Sequence, residues 1–464
     1  MYIRLYIYYG QMDKLDQEQF EKMTKKPVSA LIISLAIPTI TSMLVSALYN
    51  TADTYFVSKI DTSASAAVGI VFAVMALIQA IGFTFGMGSG TLISRRLGEK
   101  DNKAAFMIGS TAIYTSVFVG LLLTVFGLIF IKPLIYFLGS TDTVYPYAKD
   151  YISYILLGAP IMCASFVLNN ILRSEGKARL SMIGLTSGGL LNIVLDPIFI
   201  FTLGLGTSGA AIATVISQAV SLVILLSFFI RKKTIVKLSL KYASFKRDTE
   251  WLIIKTGLPS FLRQILASAA MVFLNVAASG FGDAAIAAMA IVNRLIIIVT
   301  MVMFGIGQGF IPVSGYNFGA KLYGRVRKAY FFTLFSGAVF LGSAMVLLSS
   351  FAPYIIAFFR EDPDVISLGA SVLRFQSFAL PFSALVVSTN MLLQSTGQAS
   401  QAAFLAATRQ GLFFIPLVII LPRVLGLDGL KITQMVADLL SFAVTLPFLY
   451  AFFRKLKRLE KEQI

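Results

Sequence analysis

Histidine is absent from these 464 residues, and cysteine and tryptophan occur once each. Without imidazole there is no histidine metal ligand and no imidazole acid–base chemistry, so any proton chemistry falls to carboxylates. A single thiol, Cys163, cannot form a disulfide or a cysteine metal site within one chain. Charge is scarce too: 13% of residues are charged, and the 22 acids are outnumbered by 39 bases. A soluble globular domain carries about twice that charged share, so a water-facing fold is excluded.

What the chain has is hydrocarbon. It is 57% hydrophobic, with a mean hydropathy of +0.82. Apolar runs long enough to cross about 30 Å of lipid as helices recur from end to end. Twelve spans are expected, near 28–56, 65–91, 104–131, 147–172, 180–203 and 208–230, then 251–279, 284–312, 329–351, 365–394, 400–422 and 432–453. The fold class is an all-α integral membrane protein. Bases gather in alternate loops: Arg95, Arg96, Lys100 and Lys103 follow the second span, Arg173, Lys177 and Arg179 the fourth, and Arg231, Lys232 and Lys233 the sixth. The +17 net charge therefore reports topology and not nucleic acid. The positive-inside rule places both termini in the cytoplasm, with contact to anionic lipid a lesser role for the same bases. Met1–Gln11 is too short for a cleavable signal, and Met12 is an alternative start.

The polar stretch after the sixth span divides the chain into halves, and the halves resemble one another. Ala36-Ile37-Pro38 returns as Gly257-Leu258-Pro259, Ala66-Ala67-Val68-Gly69 as Ala287-Ala288-Met289-Ala290, and Leu97-Gly98-Glu99-Lys100 as Phe318-Gly319-Ala320-Lys321, all at an offset of 221. With one residue removed, Gly206 and Gly209 fall on Gly426 and Gly429. Six spans return the chain to its starting side, so the repeats are parallel, related by a pseudo-two-fold along the membrane normal. The expected division is a cytoplasmic segment 1–26, a first lobe 27–231, a linker 232–250, a second lobe 251–453 and a basic tail 454–464.

Asn192 and Asp196 lie four residues apart in the fifth span, on one helix face, just before Pro197. Pro197 deprives the Ile193 carbonyl of its helical donor, so a kinked helix is expected there. An acid at the centre of a membrane helix costs about 2.5 to 3.5 kcal/mol and usually serves a pathway. Asp53, with Asn50 three residues before it, is a second such acid. Plainer readings exist: Asp53 ends a helix near the interface, and Asp196 bonds a neighbouring helix. The repeat weighs against both, because Asp53, Asn192 and Asp196 correspond to Leu274, Phe413 and Leu417. The fold alone does not need these groups. Thr214 and Gln218 share a face of the sixth span, and Tyr151 and Tyr154 lie near the start of the fourth. Each can hydrogen-bond a carboxylate or offer Na⁺ a neutral ligand, although singly each is more often a packing residue. In the second half Arg263, Arg294 and Arg374 stand with Asp438, most simply as an Arg–Asp pair locking that lobe. Gly86-Met87-Gly88-Ser89-Gly90 and Gly305-Ile306-Gly307-Gln308-Gly309 lack the Lys and Ser/Thr of a nucleotide loop, so close helix approach is their expected use.

Asn50-Thr51-Ala52-Asp53, Leu172-Arg173-Ser174-Glu175-Gly176, Asn192 through Asp196-Pro197 and Gly209-Ala210-Ala211-Ile212-Ala213-Thr214 resemble the multidrug and toxic compound extrusion family, over nearly the whole chain. Within it the sequence is similar to the DinF-like and MepA-like branches, which assign ion coupling to acids of the first lobe. The resemblance implies ion coupling at Asp53, Asn192, Asp196 and Thr214, with Tyr151 as the fourth-span tyrosine. The NorM-like branch uses a Glu in the seventh span and an Asp in the tenth. Here Arg263 and Gln264, and Arg374 and Gln376, occupy those spans. The expected function is efflux of amphipathic, mainly cationic compounds in exchange for H⁺ or Na⁺ by a bacterial cell-membrane protein. It is expected to act as a monomer, with no organic cofactor and no nucleic-acid partner, and Na⁺ is a candidate ligand of Asp53, Asn192, Asp196 and Thr214. The alternative is a lipid-precursor flippase, which needs a cationic cavity from Arg263, Arg294 and Arg374. An integral membrane enzyme would show acid clusters for Mg²⁺ at a cytoplasmic face, where this chain is basic.

Overall fold

The computed structural model describes residues 16–463. The readings of Met1–Gln11 and of Met12 lie outside them. A short helix α1 (16–25) precedes α2 (Val28–Ser58), α3 (Thr62–Gly98), α4 (Asn102–Ile129), α5 (Ile131–Phe137), α6 (Tyr145–Ser174), α7 (Ala178–Pro197) and α8 (Gly206–Ile230). The second series is α9 (Arg247–Ser279), α10 (Asp283–Gly319), α11 (Tyr323–Ser350), α12 (Ala352–Phe359), α13 (Pro363–Ser395), α14 (Ala399–Ala407) and α15 (Ile415–Lys461). Among the described residues, eleven helical stretches are long and apolar enough to span a membrane. The last, Ala399–Lys461, is interrupted at Gly426, whose φ of 59° and ψ of −138° break the helix, so it holds two of the twelve spans. Asp101 and Asp362 begin α4 and α13 by accepting backbone N–H bonds at 3.0 Å, which satisfies donors that a helix start leaves free.

The internal repeat extends to single dihedral angles. Lys100 and Lys321 are left-handed, at φ 61° and 59°, and Gly176 and Gly397 at 78° and 86°. Gly206 and Gly426 follow at 56° and 59°. The short helices α5 and α12 also begin 221 residues apart (352 − 131). In each lobe the most buried rod is the fourth span, α6 or α13, and α3 and α4, or α10 and α11, pack against it. The two lobes meet where α2 crosses α10 and where α3 crosses α9 and α10.

Those crossings are tight, and they are concentrated towards the face that carries α1, the end of α15 and most of the bases. A Cβ on Gly257 would run into the Thr84 carbonyl, and one on Gly309 would come within 2.7 Å of the Ala36 backbone nitrogen. A Cβ on Gly88 would likewise run into the Ile253 carbonyl, so the two glycine-rich stretches serve close approach. At the basic face α1 touches both lobes: Gln19 donates to the Glu175 carbonyl at 2.7 Å, and Asn317 donates to the Met23 carbonyl at 3.1 Å. The linker lies against the first lobe. Ile235 and Val236 are buried, and their N–H groups donate to the Glu175 carboxylate at 2.9 and 2.8 Å. Lys177 pairs with the same carboxylate at 3.1 Å.

α7 runs through Pro197 and widens just afterwards into a π-turn, Ile198–Thr202, so the helix becomes irregular where the proline lacks an N–H. One local expectation is corrected. Arg173 is not a loop base. It lies in α6, is 8% exposed, and donates to Gln308 of the other lobe and to Asn170 at 2.7 Å.

Candidate functional site

Four helices of the first lobe, α2, α6, α7 and α8, converge on the predicted acids. Asp53 on α2 is 8% exposed and accepts a 3.0 Å hydrogen bond from the Tyr151 hydroxyl on α6. On α7 the four-residue spacing acts as expected: Asn192 Nδ2 donates to Asp196 Oδ1 at 2.8 Å. The same amide reaches Thr214 Oγ1 on α8 at 3.4 Å. Asp196 is fully buried, and Asn192 and Thr214 nearly so. The Tyr151 hydroxyl also meets Thr214, and the charges of Asp53 and Asp196 lie near enough to interact. Asp53, Tyr151, Asn192, Asp196 and Thr214 therefore form one cluster.

Three oxygens in this cluster are buried without a hydrogen-bond donor among the described residues: Asp53 Oδ1, Asp196 Oδ2 and Asn192 Oδ1. A buried acceptor without a donor is costly. Protons would remove the buried charge of the two carboxylates, and a hard cation is the kind of ligand that such oxygens coordinate. The donor set of two carboxylates, an amide oxygen and a hydroxyl suits Na⁺ by chemistry. No group of three or more His, Cys, Asp or Glu that would hold a transition metal occurs among the described residues.

The secondary candidates divide. Gln218 joins the margin of the site by meeting the Tyr49 hydroxyl, which lies in the field of Asp53. Tyr49 was not singled out from the sequence, although its position four residues before Asp53 on the same helix was a usable signal. Asn50 is half-buried and Tyr154 is 37% exposed, and neither is bonded to the cluster among the described residues. In the second lobe Arg294 is exposed and donates to Thr51 at 3.3 Å, whereas Arg374 is exposed and donates to the Ser349 carbonyl at 3.3 Å. Arg263 is partly buried between Ser260 and Asn390. The expected locking pair exists with a different arginine: Arg409 Nε meets Asp438 Oδ1 at 2.6 Å. Arg409 lies in a π-turn, Thr408–Phe414, at the end of α14.

A model of the MatE family matches residues 38–198 and again 259–420. The two matches begin 221 residues apart (259 − 38), the offset of the internal repeat. The chain is 28% identical over 437 residues to the multidrug export protein MepA of Staphylococcus aureus strain MSSA476, covering 94% of this chain and 96% of that one. Among solved structures, a MATE in complex with MaL6 superimposes with a TM-score of 0.89 at 28% identity, over 95% of this chain and 99% of that one. A multidrug resistance MATE family transporter of the MOP superfamily in its outward-facing conformation follows at 0.88 and 28%, over 95% and 98%. With both halves matched and the twelve-span, two-lobe fold shared, this chain belongs to the MatE family, the multidrug and toxic compound extrusion transporters.

Proposed function

We propose that the protein is a secondary antiporter that exports amphipathic, mainly cationic compounds in exchange for H⁺ or Na⁺. The observation that carries this reading is the buried acid cluster of the first lobe, with three donor-less oxygens and no counterpart at the matching positions of the second. The basic face lies in the cytoplasm, following the positive-inside rule. The tight crossings near that face close the cytoplasmic side. Transport then needs two states that bind the ion and the compound differently. In the inward-open state the ionised Asp53 and Asp196 attract a positive compound arriving from the cytoplasm or inner leaflet. After the lobes rock outward, H⁺ or Na⁺ enters the cluster. Asn192, Thr214 and Tyr151 complete its shell, and the compound loses its counter-charge. The two acids act as a coupled pair. The protein works as a monomer, and Phe and Met side chains let the cleft repack around differently shaped ligands.

A lipid-precursor flippase needs convergent arginines, and the separate placements of Arg263, Arg294 and Arg374 give it no support. Ethidium efflux from proteoliposomes, driven separately by a pH or a Na⁺ gradient, tests the antiporter. Efflux should follow one gradient and be lost in Asp196→Asn, while the variant still purifies as a folded protein. Gradient-driven efflux retained in Asp196→Asn would remove the acid from the mechanism.

A further inference from the structure

The second lobe holds a guanidinium that neither the fold nor the acid cluster explains. Arg263, in the middle part of α9, donates to Ser260 Oγ at 3.2 Å and to Asn390 Oδ1 of α13 at 3.5 Å, and its guanidinium lies 5.4 Å from the centre of the Phe304 ring on α10. All three partners are neutral. Arg409 in the same lobe has a carboxylate at 2.6 Å, whereas among the described residues no carboxylate lies within ion-pair distance of Arg263. An arginine has five N–H donors in a fixed fork, and two are engaged. The side chain is only partly buried. Its neighbour Gln264 reaches Gln79 of the other lobe at 3.5 Å, which places this turn of α9 at the seam between the lobes.

The repeat removes the structural explanation. At the offset of 221, Arg263 corresponds to Ser42, whose hydroxyl bonds back to the Pro38 carbonyl of its own helix at 2.9 Å. A small hydroxyl therefore suffices at that place in the fold. A cation without a carboxylate inside a membrane protein is costly, and such groups usually face a pathway and what travels along it. The lobes are thus electrically unequal: acids in the first stand opposite leucines, and an arginine in the second stands opposite a serine.

We propose that Arg263 forms a carboxylate subsite in the second lobe, so that the preferred ligands are zwitterionic amphiphiles whose anionic end is held by its guanidinium fork while the cationic end faces Asp53 and Asp196. The subsite rests on the antiporter reading and narrows its substrate class. Ser260, Asn390 and the Phe304 ring hold the fork in place, and a carboxylate adds the paired, charge-assisted bonds that neutral partners do not.

Rhodamine 123 and rhodamine 110 share one cationic ring system and differ in a methyl ester against a free carboxylate. Fluorescence polarisation of both dyes with the purified full-length protein, as wild type, Arg263→Gln and Arg263→Lys, separates the possibilities. Arg263→Gln should weaken rhodamine 110 by about tenfold or more, the worth of one charge-assisted pair, and leave rhodamine 123 within about twofold. Arg263→Lys keeps the charge, loses the fork and should fall between them. It also decides the question by itself if the Gln variant does not fold. Equal weakening of both dyes, or none, overturns the carboxylate subsite alone. Failure of the wild type to bind either dye overturns the cationic-amphiphile reading and this subsite with it.

Discussion

Replacing Glu175 by Gln should release the linker between the lobes without disturbing the spans. Glu175 follows the last turn of α6; its carboxylate is fully buried and accepts the N–H groups of Ile235 and Val236 at 2.9 and 2.8 Å, with Lys177 at 3.1 Å. A hydrogen bond to a charged acceptor is worth about 1.5 to 3 kcal/mol, and a buried donor left without an acceptor costs about 1 to 3 kcal/mol. Glutamine keeps one acceptor oxygen and turns an NH₂ group towards one of the two backbone donors, so the local loss is about 2 to 4 kcal/mol. In hydrogen exchange that loss appears as a roughly 30- to 700-fold fall in protection of the Ile235 and Val236 amides. Amides in the middle of α6 should be unaffected. Unchanged exchange at both linker positions would show that the linker is held by the burial of Ile235 and Val236, and not by the carboxylate.

Tyr151→Phe removes the one hydrogen bond that Asp53 accepts from a side chain among the described residues and should reduce ion-driven efflux about tenfold while the purified protein stays monodisperse; full activity would take the hydroxyl out of the cluster. Gly257→Val places methyl groups where the Thr84 carbonyl sits, so spin labels at the exposed Lys103 and Lys328 should read a longer distance across the basic face, and an unchanged distance would refute the close approach as what holds that face shut. Asp438→Asn strips Arg409 of its buried counter-charge and should cost about 3 to 5 kcal/mol in thermal unfolding, whereas Arg409→Met combined with Asp438→Leu should cost less than the single change. A double variant worse than the single one would contradict the pair as a desolvated unit.

The spans and the repeat were legible in the sequence because both rest on local signals, hydrocarbon length and self-similarity at one offset. Asn192 and Asp196 were equally legible, since a helix fixes residues four apart on one face. The contact of Tyr151 with Asp53 bridges 98 positions of sequence, and periodicity carries no information at that range. Only the family resemblance anticipated it. Arg409 was missed for another reason: the register of a π-turn is not that of an α-helix, so its direction towards Asp438 does not follow from 3.6-residue spacing. Arg173 misled because a base at a span's edge reads as a loop residue, and only packing shows it facing the opposite lobe.

The crossing at Gly305 and Gly309 has a mechanical consequence. From Gly305 to the start of α10 at Asp283 there are 22 residues (305 − 283), an arm of about 33 Å at the rise of an α-helix. With the fulcrum at Gly305, a rotation of about 10° carries the Asp283 tip through about 6 Å. The displacement of that tip is therefore geared by helix length.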